Sequence, residues 1–584
     1  MNFSLWLAKI EKMEKQFNFK IGGEAGFGIM VTGLMFSKTA TRSGYHIFDY
    51  TEYPSLIRGG HNTYQVTVSK DEVFASPNKV DLLVALNQET SEIHVHELNP
   101  GAGLIFDNKE FALKGPILRR AKKLYPVPLN LLAQKAGGTE LMRNTVALGA
   151  VLALVGGELA ILKAVIKDAF TGKKEEIIKV NLKAATLGFD YVQESFQPWG
   201  KVLTKRKAEK RLVLTGNEAL SLGAIAGGLK FFAAYPMTPA SSILHVLAGK
   251  AREYGFVVKH AEDEIAVINM AIGAAFAGAR SLVATSGGGF SLMAEGLGLA
   301  GITETGVVIV NAQRPGPATG MPTWTEQGDL RFMLHAAQGE FPRIVLAPGD
   351  VSEAFYLTAQ ALNLAEKYQT PVIILVDKFL SESHQSATFF DGEKLKIERG
   401  KLVSGSENYQ RYHLIADGVS PLVLPGDEKG LSLANSYEHD EDGYSTEESR
   451  KRTRMVEKRA QKLSAVLTDL PEPELYGSEE AKLTLVGWGS TKGPIREAIR
   501  QLGNKFKVNH LHLNWLSPFP AEAVSRILTQ ATKVLMIENN HDGQLAGWIR
   551  QQTGVEIKNK LLKFDGRPFY PEEIIKKIKD LDED

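Results

Sequence analysis

A chain of 584 residues is too long for one hydrophobic core, and a domain size of about 150 residues predicts three or four domains. Its 44% hydrophobic and 23% charged residues are those of a globular protein, and 68 Lys+Arg against 67 Asp+Glu leave +1, so global charge argues for neither nucleic acid nor an anionic membrane as partner. The absence of cysteine excludes disulfides, a cysteine nucleophile and any thiolate-held zinc or iron–sulfur cluster within the chain, so a redox centre would have to sit on another chain.

Residues Met1 to Lys20 mix charges with single apolar residues and lack the apolar core of a signal peptide. The longest apolar run, Val146 to Gly157, is rich in alanine and glycine and too short to span a bilayer, which makes the cytoplasm the expected location. Phe17 to Ile21 predicts a strand, Gly22 to Gly28 a glycine-rich turn, and Ile29 to Ser43 a helix. Such a turn suits an anion at the helix N-terminus, with Gly26 and Gly28 as candidate binding residues, although close helix–strand packing explains it equally. The glycines do not follow dinucleotide-fingerprint spacing. The loop Pro54 to His61 sets Arg58 and His61 beside two glycines, within reach of a ligand phosphate or simply solvated. Strands are predicted at Tyr64–Val68, Leu82–Ala85 and Gly103–Phe106, and packed helices at Asn144–Leu154 and up to Ala169. The first domain closes near Pro198, before a basic run, Lys201 to Arg211, expected to be a solvated linker.

From Leu212, strand–helix alternation with short connections predicts a parallel α/β sheet. Its strands are placed at Phe231–Tyr235, Val257–His260, Ser281–Thr285, Gly306–Asn311, Arg343–Ala347 and Val372–Val376. Four turns after such strands carry chemistry: Tyr235 to Ser242, His260 to Glu264, Thr285 to Phe290 and Asn311 to Gly320. Parallel sheets bind ligands outside the carboxyl ends of their strands, so all four turns are expected on one rim. In the first turn Pro236 and Pro239 stiffen the backbone, Thr238 offers a hydroxyl, and Ser241 or Ser242 is expected to cap the next helix.

Residues 405 to 475 are more charged. Glu447 to Arg459 predicts an exposed helix, and Glu438, His439 and Asp440 a surface loop, because adjacent side chains rarely converge on one metal ion. Leu467 to Gly477 predicts a linker. The remainder resumes alternation, with strands at Leu483–Val486, Lys507–Leu513 and Val534–Glu538 and a helix at Pro494–Leu502.

Glu264 opens the Ala/Gly-rich segment Ile265 to Gly278, a closely packed helix. A carboxylate there is a helix-dipole partner or a group in a semi-apolar site, where one defined use is to hydrogen-bond N1′ of the thiamine diphosphate aminopyrimidine. Arg314 leaves a turn stiffened by Pro315, which suits bidentate capture of a carboxylate, or a structural ion pair.

These segments carry a resemblance. Tyr235-Pro-Met-Thr-Pro-Ala-Ser-Ser resembles the YPITPSS-type motif of the 2-oxoacid:ferredoxin oxidoreductase alpha subunit. Glu262 to Ala275, Thr285 to Met293 and Gln313 to Gly320 match that family in the same order, and Gly22 to Gly28 with Arg58-Gly-Gly resembles its gamma subunit fused ahead of alpha. Met237 and Ala240 depart from the usual isoleucine and serine. The resemblance implies an α/β multidomain chain: a gamma domain (1–198), a linker (199–211), a thiamine-enzyme pyrimidine-type domain (212–404), a charged loop and linker (405–478) and a transketolase C-terminal-like domain (479–584).

It further implies oxidation of a 2-oxoacid, best 2-oxoglutarate, with coenzyme A to acyl-CoA and CO₂, electrons passing to ferredoxin. Glu264 then activates thiamine diphosphate beside Pro236, and Thr238, Arg314 and Tyr235 hold the 2-oxoacid. No GDG precedes the only Asn-Asn pair, Asn539-Asn540, which fits a family whose separate beta subunit holds the diphosphate, Mg²⁺ and iron–sulfur cluster in a dimer of alpha–beta heterodimers. A non-redox thiamine-dependent subunit and a non-catalytic nucleotide-binding scaffold are the competing readings.

Overall fold

The computed structural model describes residues 16–56, 59–199 and 202–583, which divide into two compact units. The first comprises the described residues up to Leu214 with Ser383–Phe389 and the stretch from Tyr570. Its eight-stranded sheet runs, edge to edge, through Lys123–Pro126, Leu98–Phe106, Val80–Ala85, Gln16–Glu24, His61–Ser69, His46–Glu52, His384–Ala387 and Leu212–Thr215. The central strand Gln16–Glu24 pairs parallel to Val80–Ala85 and antiparallel to His61–Ser69, with Glu24 opposite His61. The apolar run of the sequence becomes the helix Arg143–Leu154, buried at every position, as a core helix rather than a membrane span should be. No helix among the described residues is long and apolar enough to cross a membrane.

Two expectations change in this unit. The alternation expected from Leu212 opens with a strand that the reading did not place, Leu212–Thr215, and its backbone completes the edge of the eight-stranded sheet, not the parallel one. The basic run is solvated only in part: Val202 and Leu203 are buried in the unit's core, and Tyr45 donates to the Thr204 carbonyl at 2.9 Å. Two apolar residues inside a charged stretch anchor the chain to the domain it leaves.

The second unit, Thr215–Glu382 and Phe390–Phe569, holds two sheets. Seven strands lie in the order Trp515–Ser517, Ile344–Leu346, Val372–Asp377, Val308–Gln313, Ser281–Thr285, Phe231–Ala234 and Val257–His260. All neighbours are parallel except Trp515–Ser517, which the sequence reading missed. Near-continuous Val, Ile and Ala at buried positions, as in Val308–Gln313 and Val372–Asp377, are what a sheet covered on both faces requires. The five-stranded sheet runs Glu474–Gly477, Val508–Leu513, Leu483–Trp488, Lys533–Glu538 and Asn559–Leu562. One core joins both sheets, with Ile309 and Ile373 in the same cluster as Val486, Trp488 and Leu511.

The charged stretch is more ordered than expected. Its helix is Ser449–Thr468, and Lys458, Arg459 and Lys462 are buried rather than exposed. Lys458 and Lys462 both pair with the buried carboxylate of Glu304, at 2.7 and 2.6 Å, and Arg459 pairs with Glu438 at 2.8 Å. His439 is 1% exposed, its Nδ1 against the Asp440 carbonyl and its Nε2 against that of Ile302, so it packs inward instead of lying in a surface loop. No group of three metal-ligating side chains is present among the described residues. The expected linker ends as the edge strand Glu474–Gly477.

Candidate active site

Because the central strands of the seven-stranded sheet are parallel, their carboxyl ends share one rim, and the four distinctive turns follow them there. From Phe231–Ala234 the chain continues to the outer strand Val257–His260, and from Ser281–Thr285 to the opposite side, Val308–Gln313. The strand order therefore reverses between Phe231–Ala234 and Ser281–Thr285, the place where an open α/β sheet leaves a crevice.

The Tyr235 turn is built as its prolines dictate, with a cis peptide at Thr238-Pro239. Only Phe231–Ala234 of the preceding apolar segment is strand. The helix Ser241–Tyr254 is capped at Ala240 with no side-chain bond, contrary to the expectation for Ser241 or Ser242. The reason is Asn217: its amide donates to the Pro239 carbonyl and to Ser242 Oγ, both at 2.8 Å, so Ser242 ties the turn to the helix Gly216–Ala226. Tyr235 and Pro236 are exposed; Met237 and Thr238 are partly covered.

Glu264 is the first residue of the helix Glu264–Phe276, whose N-cap Asp263 accepts from the Ala266 N–H at 2.8 Å. With Asp263 as cap, Glu264 is free of that duty. It is 3% exposed, and its Oε1 is buried with no hydrogen-bond partner. Facing it, the helix Gly287–Ile302 begins with three glycines; a Cβ on Gly289 would collide with Thr285 Oγ1 and Glu264 Oε1. Ser286 Oγ and Asn311 Oδ1 are likewise buried and unpaired. Native structures rarely leave such atoms unpaired, so three on one rim mark a place for a polar ligand.

Arg314 Nη1 donates to the Thr238 carbonyl at 2.7 Å, which brings these two predicted residues together. Burial lowers the Arg314 guanidinium from its ordinary value, and the nearby Asp329 charge opposes that shift. The sequence reading missed Asp329. Its backbone N–H donates to Gln313 Oε1 at 2.9 Å, its carboxylate accepts from Asn311 Nδ2 at 3.0 Å, and it lies against Gly287. Burial pushes its carboxyl up, partly offset by the Asn311 bond and Arg314. Glu326, also missed, is raised to about 6 by burial and then by Asp329. The only sequence signal for either was a Gly-Asp pair, Gly328-Asp329, ahead of a short helix. A line of neighbours thus runs from Glu264 to the glycine-rich helix start and Asp329, whose charge acts on Arg314, and from Arg314 to the Thr238 carbonyl.

Gly26 and Gly28 belong to the first unit. Both have positive φ, 96° and 72°, and Gly28 caps the helix Ile29–Arg42. Asn144 Nδ2 donates to the Phe27 carbonyl at 2.6 Å, and the Ala25 N–H bonds the Gly60 carbonyl at 3.0 Å, joining the glycine-rich turn to the loop of Arg58. Arg58 itself lies outside the described residues.

Family models match in three consecutive segments. They are pyruvate ferredoxin/flavodoxin oxidoreductase at residues 18–191, the thiamine-diphosphate-binding model of pyruvate flavodoxin/ferredoxin oxidoreductase at 222–458, and pyruvate:ferredoxin oxidoreductase core domain II at 481–574. The chain is 35% identical to the 2-oxoacid:ferredoxin oxidoreductase subunit alpha of a Sulfolobus species, over 96% of each chain. It is 31% identical to the 2-oxoglutarate oxidoreductase subunit KorA of Mycobacterium tuberculosis, over 95% of this chain and 90% of that one. A solved 2-oxoglutarate:ferredoxin oxidoreductase from Magnetococcus marinus, with 2-oxoglutarate, coenzyme A and succinyl-CoA bound, superposes with a TM-score of 0.91 at 34% identity, covering 97% of this chain and 99% of that one. Multidomain α/β architecture, a thiamine-diphosphate-binding-type segment and near full-length similarity converge: the chain belongs to the 2-oxoacid:ferredoxin oxidoreductases and is an oxidoreductase subunit of the alpha type.

Proposed function

We propose that this subunit acts in the thiamine-dependent oxidative decarboxylation of 2-oxoglutarate with coenzyme A, or its reductive reversal, with ferredoxin as the electron carrier. The observation that carries this reading is the buried, unpaired Oε1 of Glu264 at the switch-point crevice. The residues fit the cofactor: an acceptor oxygen in a dry site is what a pyrimidine N–H requires, and a bare carboxylate oxygen is costly otherwise.

When bound, thiamine diphosphate supplies the electron sink for loss of the 2-oxoacid carboxylate. Glu264 holds the proton at the pyrimidine nitrogen through Oε1, and Asp263, by capping the helix, keeps the Glu264 side chain available for it. Arg314 is aimed by its bond to the Thr238 carbonyl; its remaining N–H donors and the Thr238 hydroxyl bind the 2-oxoacid, with Tyr235 and Pro236 at the exposed edge. Gly26, Gly28 and Arg58 are assigned to a phosphate of the nucleotide co-substrate.

The chain lacks cysteine and the GDG-type magnesium–diphosphate motif. A beta subunit is therefore assigned the diphosphate, Mg²⁺ and iron–sulfur cluster, in a dimer of alpha–beta heterodimers in the cytoplasm. The three model-matched segments are read as gamma, pyrimidine-type and transketolase C-terminal-like domains. The ligands of the Magnetococcus marinus relative and the name of the mycobacterial one support 2-oxoglutarate over pyruvate. The test is to co-purify the chain with its partner without air and follow coenzyme-A-dependent viologen reduction across a panel of 2-oxoacids. The highest kcat/KM with 2-oxoglutarate is expected; a preference for pyruvate or a branched 2-oxoacid overturns the substrate assignment.

A further inference from the structure

His61, singled out in the sequence but unused by the chemistry above, ends a chain of buried and half-buried groups in the first unit. Lys20, on the central strand, pairs with Glu97 Oε2. Glu97 Oε1 lies 2.7 Å from His94 Nδ1, and His94 Nε2 lies 2.7 Å from His61 Nε2. Lys20 and His94 are each 3% exposed, and the Glu97 side chain 23%. The two rings are 4.9 Å apart and tilted by 33°, and Gly22 packs beside them: a Cβ there would meet Thr90 Cγ2 at 2.7 Å and His61 Cε1 at 3.2 Å. The far nitrogen, His61 Nδ1, is buried and has no partner. His61 follows Gly59-Gly60, and the Gly60 carbonyl accepts from Ala25 in the glycine-rich turn.

The partners determine where the protons sit. Lys20 offers only donors, so Glu97 is the carboxylate, and His94 Nδ1 must donate to it. With both rings neutral, His94 Nε2 is then an acceptor, His61 Nε2–H donates to it, and His61 Nδ1 carries a free lone pair. A proton taken up at His61 Nδ1 lets the Nε2–H proton pass to His94. The charge then rests on His94 beside Glu97 rather than on His61. One proton enters, one moves within the chain, and none is lost. We propose that Lys20, Glu97, His94 and His61 form a one-proton relay whose unpaired end, His61 Nδ1, accepts a proton from a weakly acidic ligand group at the glycine-rich turn. The ordinary alternative is a static hydrogen-bonded pair, in which each ring titrates by itself.

The environment agrees with the relay. Burial, His94 and Lys20 lower His61 to about 4, with Glu97 opposing them, so a static His61 would be a poor base near neutrality. Glu97 is held at about 2 against its burial by Lys20 and His94, so it stays ionised throughout. Among the described residues these are the groups whose charge shifts His61, and Glu24 stands opposite it in the strand pairing.

The proposal is independent of the thiamine-site reading and is tested without substrate, by deuterium exchange at imidazole C2 followed by mass spectrometry across pH on the intact complex. The relay predicts one shared midpoint for the His61 and His94 peptides. It also predicts that Glu97→Gln, which keeps an acceptor but removes the charge, lowers both midpoints together by roughly one to three pH units. Distinct midpoints in the unaltered protein, a readout that requires no variant to fold, overturn the relay; so does a Glu97→Gln shift confined to His94.

Discussion

A buried carboxylate oxygen with no hydrogen-bond donor costs a protein at least about 1–3 kcal/mol, more when ionised, and Glu264 carries one on the rim of the seven-stranded sheet. That cost is sensible only where a ligand meets the oxygen. Gly289 leaves the space in which Oε1 sits, so Gly289→Ala should displace Glu264. The expected outcome is at least a tenfold fall in turnover with about 1–3 kcal/mol lost to overpacking, read by steady-state kinetics and chemical denaturation. Unchanged turnover would mean that Oε1 has no role there. Arg314→Ala should raise KM for the 2-oxoacid about 10- to 100-fold, the worth of a charge-assisted hydrogen bond, with a smaller effect on kcat. A fall in kcat at constant KM would contradict its assignment to substrate binding. At this scale the sequence was informative where a residue's place follows from a strand end, as for Glu264 and Arg314. It was silent on Asp329, 18 positions beyond its partner Asn311 and brought to it only by the loop's return to the rim. It misassigned the cap after the Tyr235 turn because the competing partner, Asn217, lies on another helix.

Among the elements, the helix Ser449–Thr468 departs most from expectation. Its composition reads as exposed, since nothing local distinguishes a lysine in water from one paired with a carboxylate from a distant segment. The carboxylate is Glu304, fully buried and in a left-handed conformation, φ 50°, with Lys458 and Lys462 on its two oxygens. Burial opposes its ionisation, but Lys462, Lys458 and Arg411 hold it well below the usual carboxylate range. A depressed carboxylate contributes stability above its unfolded value, near about 4.3, and that stability is lost as pH falls through the folded value. Burial lowers Lys462 to about 7, with Glu304 opposing. A lysine so lowered destabilises the fold below pH 7, a penalty relieved as pH rises toward its unfolded value near about 10.4. Glu304→Gln removes the carboxylate that sustains the charge on Lys458 and Lys462 and should cost about 3–5 kcal/mol near neutrality. The variant should regain stability between about pH 7 and 9, because its buried lysines fold uncharged and the cost of removing their protons falls as pH approaches the unfolded value. Urea denaturation at both pH values decides it; a loss under 1 kcal/mol would show that solvent already screens the cluster.

Over the whole molecule, α/β alternation and the positions of most strands were legible because buried parallel strands are short apolar runs bounded by turn residues. Which strands share a sheet was not. Leu212–Thr215 joins the eight-stranded sheet and Trp515–Ser517 the seven-stranded one, because pairing depends on backbone edges that no local pattern records. The C-terminal strands share a core with the central sheet, so residues 479–569 expressed alone should expose Trp488, Leu511 and Met536 and fail to unfold cooperatively. A sharp thermal transition from that fragment would contradict this.

Glu264→Gln in the complex purified with its partner decides whether Glu264 Oε1 is reserved for the cofactor. Cofactor content, the absorbance of the iron–sulfur cluster proposed for the partner and 2-oxoacid-dependent viologen reduction would be measured on the same preparation. With cofactor and cluster retained, turnover should fall about 10²- to 10⁴-fold, the range for a lost acid–base contact, at nearly unchanged KM. Turnover within twofold of the unaltered complex would contradict it.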